Sequence, residues 1–390
     1  MDGRPKITKI EIREFEYTMT NMGPDTVSAQ PHYKKGSSLK VRTFALRIMT
    51  DIGVVGEYIG GIAADYAAFP MFVHSVIGRN ALDREAIYTT AKHSVRHYAL
   101  IGMSQFDIAL WDLAGKFFNA PVHELLGTYR TSLPGCVSTN VGDEEPDGLS
   151  TPEAYADYAQ ACLEQGFRAF KIHPPMERPV EWHVATIHAV GKRVGGKMDL
   201  MIDPFHALAT FGDALKVGWA CDEEKFLWWE DPYKDGGISA FGHRKLRQLV
   251  RTPLLQTEHS RGVEPHVDYI IADGTDFVRT DPDYDGGITG AMKVAHAAEG
   301  FGLDCEVHLS GPARRHLMAA IRNSNYYEMG LFHPKTTAAF QPPVYLDGYS
   351  DEFDAIDKNG CVQAPQKPGL GVPIDWDYIT RHTTATVTYP

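Results

Sequence analysis

The chain has 390 residues, 43% of them hydrophobic and 23% charged, with a formal net charge of −12. This composition excludes intrinsic disorder, and the length exceeds one ordinary core, so two domains or a large barrel with a cap are expected. The acidic balance offers no general attraction to nucleic acid or anionic membrane, and no apolar run approaches the roughly 20 residues of a membrane span, so neither is an expected partner.

The N-terminus, MDGRPKITKIEIREFEY, lacks the charged-then-apolar layout of a secretory signal, so a cytoplasmic protein is expected. Polar and apolar residues alternate from Ile7 to Tyr17 and from Leu39 to Ile59, predicting antiparallel strands with a turn at Asp51-Ile52-Gly53. Between them, residues 18–38 carry Gly, Pro, Ser and Asn and read as a long mobile loop. Helical periodicity takes over from Ala81 to Phe118, with Phe106, Ala109, Leu110 and Leu113 spaced three or four apart. Residues 1–132 thus read as an α+β domain.

After the break at Leu133-Pro134-Gly135 the rhythm becomes short apolar strands alternating with helices. The strand candidates are Pro134–Ser138, Ala169–Ile172, Leu200–Ile202, Leu227–Trp229, Leu254–Gln256, Phe277–Arg279, Asp304–Val307 and Tyr326–Glu328. Eight strands alternating with helices fit a (β/α) barrel over residues 133–345. Residues 346–390, rich in Pro and Gly and ending in the strand-like run Ala385–Tyr389, are expected to return to the N-terminal domain. Five scattered cysteines without a CxxC pair suggest free thiols rather than a disulfide framework or a zinc site.

Three strand candidates run into a carboxylate: MIDP gives Asp203, LWWEDP gives Glu230 and LQTEH gives Glu258, 27 and then 28 residues apart. In a parallel barrel a spacing of one strand-helix unit sets all three on the C-terminal rim, where barrel enzymes do chemistry. Three converging carboxylates repel, and a hard dication makes the arrangement favourable; magnesium suits an all-oxygen site that keeps positions open for water and substrate.

With these three acids, SQFDIALWDLAGK at 104–116, VRTDPDYDGGITGAMK at 278–293 and EVHLSG at 306–311, the chain resembles the mandelate racemase branch of the enolase superfamily, within the mandelate racemase/muconate lactonizing enzyme family, along nearly its whole length. The resemblance implies an α/β fold, a modified (β/α)7β TIM barrel with an α+β capping domain built from the N-terminal region and the C-terminal segment. It also implies one Mg2+ per subunit on Asp203, Glu230 and Glu258, and a homo-oligomer between dimer and octamer. His308 would be the general base and Asp281 the partner that fixes its tautomer and raises its basicity. Glu328 would bind the substrate carboxylate, donating as a protonated acid.

The family pattern Lys-x-Lys on the second strand is here Lys171-Ile172-His173; alternation points both side chains into the site. Lys171 would offset charge developing on the substrate carboxylate, and His173 would act as an acid/base or bind a hydroxyl. His206, His259, Arg261 and His316 are expected to support or to be solvated, not to catalyse. These features suggest a lyase acting on a small-molecule carboxylate: abstraction of the proton next to the carboxylate, then loss of a β-hydroxyl, which dehydrates an aldonate or aldarate to a 2-keto-3-deoxy acid. A racemase or epimerase is the alternative, and a non-catalytic sugar-acid binding protein the third reading.

Overall fold

A computed structural model describes residues 3–24, 31–233, 238–336 and 341–390 of the chain. The N-terminal alternation becomes an antiparallel meander, β1 (Ile7–Pro24), β2 (Pro31–Thr50) and β3 (Val55–Ile59). Eight parallel strands follow: β4 (Ser132–Thr139), β5 (Ala169–Ile172), β6 (Asp199–Ile202), β7 (Trp228–Glu230), β8 (Leu254–Gln256), β9 (Phe277–Thr280), β10 (Asp304–Val307) and β11 (Tyr327–Phe332). Each overlaps one strand candidate read from the sequence. A helix separates every successive pair, so the order is (β/α)7β. Of the remaining strands, β12 (Cys361–Gln363) pairs with β4, and β13 (Thr383–Tyr389) joins the meander to give the order β13-β1-β2-β3.

The parallel strands lie in the order β10-β9-β8-β7-β6-β5-β4-β11. The sheet curls until its two ends meet through a side chain: Glu306 of β10 accepts from the backbone N–H groups of Asn325 at 3.0 Å and Tyr326 at 3.2 Å, at the entry to β11. The period of two then sorts the interior. Its floor is an apolar cluster of Cys136, Ala169, Met201, Trp228 and Leu255. Phe277 and Tyr326 pack against it, and two residues past Ala169, Met201, Trp228, Phe277 and Tyr326 the same faces carry Lys171, Asp203, Glu230, Arg279 and Glu328. Polar chemistry thus sits directly on a dry floor.

Residues 81–118 form two helices, Arg84–Ser94 and Met103–Phe118, rather than one continuous stretch; Ala99, Leu100 and Gly102 between them adopt left-handed backbone. The second helix lies between cap and barrel and is buried almost all round, so its polar residues serve as ties. Asp112 accepts from the backbone N–H groups of Glu57 in β3 and Leu370 in the C-terminal segment, each at 2.8 Å. Asp107 accepts from the N–H and hydroxyl of Thr289 on the barrel helix Gly287–Gly300. Gly287 has φ +79°, and a Cβ there would lie 2.2 Å from an Asp107 oxygen, which excludes any larger residue at this contact.

The expected loop at 18–38 is corrected in part. Residues 18–24 and 31–38 extend β1 and β2 as a ribbon, while 25–30 lie outside the described residues. The Asn and Gly that signalled a loop mark an irregularity in the register: Asn21 has φ +56°, and its side chain accepts from Gly36 N–H at 2.9 Å. The ribbon docks on the barrel rim through Tyr33, whose N–H donates to Asn140 and whose ring stacks on His333 at 4.0 Å. Lys34 and Lys35 are exposed. Among the described residues no helix is long and apolar enough to cross a membrane.

Candidate active site

Asp203, Glu230 and Glu258 follow or end β6, β7 and β8, and each brings one carboxylate oxygen within 4.8 Å of the others. Two further charges complete the layer beneath them. Lys171 Nζ donates to Glu230 at 2.9 Å and pairs with Glu328 at 2.6 Å; Arg279 Nε donates to Glu230 at 2.7 Å and its Nη2 lies 3.2 Å from Glu328. Four carboxylates therefore face two cations, an excess of two negative charges once all four are ionised. Burial pushes the Glu230 carboxyl up to about 7, against the pull of Arg279 and Lys171 and with Asp203 adding repulsion. An all-oxygen donor set with this excess charge fits a hard dication of the magnesium type.

The second half of the site is a chain of three side chains. His308, directly after β10, donates from Nδ1 to Asp281 Oδ2 at 2.7 Å, and Asp281 accepts from Arg314 Nη2 at 2.9 and 3.0 Å. Burial opposes the Asp281 charge, but Arg314 and His308 hold its carboxyl below the usual range. Burial lowers His308, yet the charges of Glu258 and Asp281 outweigh it and raise the imidazole above its ordinary value. His308 Nε2 faces the cluster, 3.4 Å from Glu258 Oε1. Arg314 also donates to the His308 carbonyl at 2.9 Å and to Asp283 at 2.8 Å, while Tyr58 of β3 donates to Asp283 at 2.7 Å. The cap thereby reaches the shell that holds the imidazole.

Lys171 and His173 both point into the interior, as alternation requires, but their situations differ. Burial opposes the Lys171 charge, and Glu230 and Glu328 outweigh it, raising its pKa; it is a fixed cation. His173 donates from Nδ1 to the Thr139 carbonyl at 2.7 Å, lies with Nε2 3.3 Å from Asp203 Oδ2 and stacks on Phe205 at 4.5 Å. Glu328 corrects one expectation. It accepts from Leu309 N–H at 2.9 Å, and although burial opposes its charge, Lys171 and Arg279 hold it well below the usual carboxylate range. With both oxygens accepting, its surroundings favour the ionised form over the protonated donor expected from the sequence.

Arg279, Arg314, Asp283 and Asp231 escaped the sequence reading. Arg279 had a signal, since it stands two residues before Asp281 and so shares its face of the strand. Arg314 had none, because its helix position carries no record of the loop it packs against. His316 belongs elsewhere: it accepts from His123 N–H and donates to the Leu370 carbonyl, and burial lowers its pKa to about 3. Arg261 donates to the Glu258 carbonyl at 2.7 Å and lies over the Tyr284 ring.

Comparison with known proteins agrees with this architecture. Residues 23–127 match the mandelate racemase/muconate lactonizing enzyme N-terminal domain, and residues 154–378 match the enolase C-terminal domain-like family. The chain is 24% identical to D-xylonate dehydratase of Haloferax volcanii over 96% of each chain, and 24% identical to N-succinyl-L-Arg/Lys racemase of Bacillus cereus over 97% of this chain and 98% of the relative. The crystal structure of D-glucarate dehydratase from Agrobacterium tumefaciens complexed with magnesium superposes with a TM-score of 0.86 at 30% identity, covering 97% of this chain and 99% of that one. A capped (β/α)7β barrel whose rim carries the three acids and the His308–Asp281 pair is thus a member of the enolase superfamily, in the mandelate racemase/muconate lactonizing enzyme family.

Proposed function

We propose that the protein is a Mg2+-dependent dehydratase of a hydroxylated acid of the aldonate or aldarate class. The observation that carries this reading is the asymmetry of the two histidines. Both turn Nε2 toward the carboxylate cluster, but His308 has Nδ1 anchored on a buried carboxylate, Asp281, whereas His173 has Nδ1 on the neutral backbone carbonyl of Thr139. Racemisation needs a base on each face of the substrate; elimination can be served by one residue used twice.

Asp203, Glu230 and Glu258 would hold the metal, which when bound supplies Lewis-acid stabilisation of the substrate carboxylate. His308 Nε2 takes the proton next to that carboxylate, and its Nδ1–H stays on Asp281. The electron pair left behind spreads into the carboxylate, where the fixed charge of Lys171 lowers its energy. Protonated His308 then gives its proton to the departing β-hydroxyl, releasing water, and the enol relaxes to the 2-keto acid. Glu328 and Arg279 hold Lys171 and Glu230 in place. The polar ribbon around Tyr33 borders the same rim and would contact the polyol end of the substrate.

The test is incubation of the purified protein with Mg2+ and a panel of acid sugars in D2O. A 2-keto-3-deoxy product is expected. Inversion at the carbon next to the carboxylate, with deuterium uptake and no keto product, would favour the epimerase reading instead, with His173 as the second base.

A further inference from the structure

Beside the carboxylate cluster, a second group of ligand-type side chains converges. His206 and His259 both direct Nε2 at one oxygen, Asp231 Oδ2, at 3.2 and 3.3 Å, with their rings 4.5 Å apart and steeply inclined. Each residue comes from the loop after a different strand: His206 after β6, Asp231 after β7 and His259 after β8. One donor atom from each lies within 4.8 Å of the others.

These groups are poorly served by the protein alone. Among the described residues His206 Nδ1 has no hydrogen-bond partner, its Nε2 meets only the Asp231 carboxylate, and Asp231, only 2% exposed, has its Oδ1 buried without a partner. Buried polar groups ordinarily find partners, so such a concentration calls for a missing ligand. The spacing suggests which one. Two donors on a tetrahedral ion at about 2.05 Å each stand roughly 3.3 Å apart, matching both nitrogen-to-oxygen separations. Two imidazoles and a carboxylate favour zinc-class ions, whereas the neighbouring Asp203, Glu230 and Glu258 offer oxygen alone.

We propose that His206 Nε2, Asp231 Oδ2 and His259 Nε2 form a second metal site, separate from the magnesium-type cluster, that binds a divalent transition ion of the zinc class. Three protein donors leave a fourth position for water or a substrate oxygen. His259 is the most exposed of the three and is the entry side. The two sites would sort ions by donor chemistry rather than by size, although Glu258 Oε1 lies only 3.8 Å from His259 Nε2.

The test loads the full-length protein with Zn2+ in excess Mg2+, dialyses it against Mg2+ buffer and counts zinc by plasma mass spectrometry. About one zinc per chain is expected, with an X-ray absorption spectrum showing imidazole ligands. His206→Gln and His259→Gln should each weaken retention by at least about tenfold, a loss on the scale of disturbing a metal's ligand shell. His259→Gln alters a partly exposed residue, so its result stands apart from any folding defect. No retained zinc in the wild type, an all-oxygen zinc shell, or full retention in the folded variants would overturn the proposal.

Discussion

Replacing Asp281 by Asn tests the proton-transfer assignment most directly, because the surrounding donors dictate which way the new amide must face. Asp281 Oδ1 accepts from Asp283 N–H at 2.8 Å and from Arg314; Oδ2 accepts from His308 and from Arg314. An asparagine oxygen satisfies the Asp283 N–H only by taking the Oδ1 position, which turns the NH2 toward His308 Nδ1. The imidazole must then accept at Nδ1 and carry its proton on Nε2, the atom that should remove the substrate proton. Positioned general-base catalysis contributes about 10²–10⁴-fold, roughly 3–5 kcal/mol at about 1.4 kcal/mol per tenfold. Arg314 keeps its bond to Asp283, so the fold is retained. The assay is NMR exchange of the substrate proton in D2O beside keto-acid formation, with calorimetry to check that Mg2+ still binds. Exchange within about threefold of wild type, with Mg2+ binding intact, would refute the assignment, since it would mean that no base of this kind contributes its usual factor.

Three further outcomes are expected. Because burial raises Glu230 to about 7 without a cation, Mg2+ must displace its proton below that pH: affinity should rise with pH up to about 7 and level off above it, by titration calorimetry. The sign for stability agrees. A carboxyl raised in the folded state loses its stabilising contribution as pH rises through about 7, so Mg2+ should raise the melting temperature more at pH 8 than at pH 6. Lys171→Met leaves Glu230 and Glu328 with Arg279 alone; breaking a buried pair costs about 3–5 kcal/mol, read in urea unfolding, and turnover should fall by about 10²-fold or more. Unchanged turnover would remove Lys171 from the chemistry. Tyr58→Phe deprives buried Asp283 of its cap donor, which should lower stability by about 1–3 kcal/mol and slow turnover more than it weakens Mg2+ binding; a pure binding defect would contradict the link from cap to His308.

Much of the architecture was legible without coordinates because it rests on short-range regularities. The alternation of apolar strands and helices gave the barrel, and carboxylates one strand-helix unit apart could only share a rim. Asp281 and His308 were visible through the segments around them, and the alternation around Lys171 and His173 oriented both inward. Punctuation proved the weaker guide: Asn21 and Gly36 signalled a loop where the chain builds an irregular ribbon, since a residue suited to left-handed backbone serves a bulge as well as a turn.

What the sequence by itself determined, then, is the fold and the set of acids and bases on one rim, because both follow from periodicity along the chain. Ionisation and pairing were decided only by tertiary structure. Glu328 is drawn toward its ionised form because Lys171 and Arg279, from strands far away in the chain, close on it in a buried layer. His308 is oriented because a helix residue, Arg314, and a cap residue, Tyr58, hold the loop that carries Asp281. His206, Asp231 and His259 converge because three loops turn back over the same rim. Such contacts depend on distance in space, and in a low-dielectric interior a few ångströms decide which group keeps its proton.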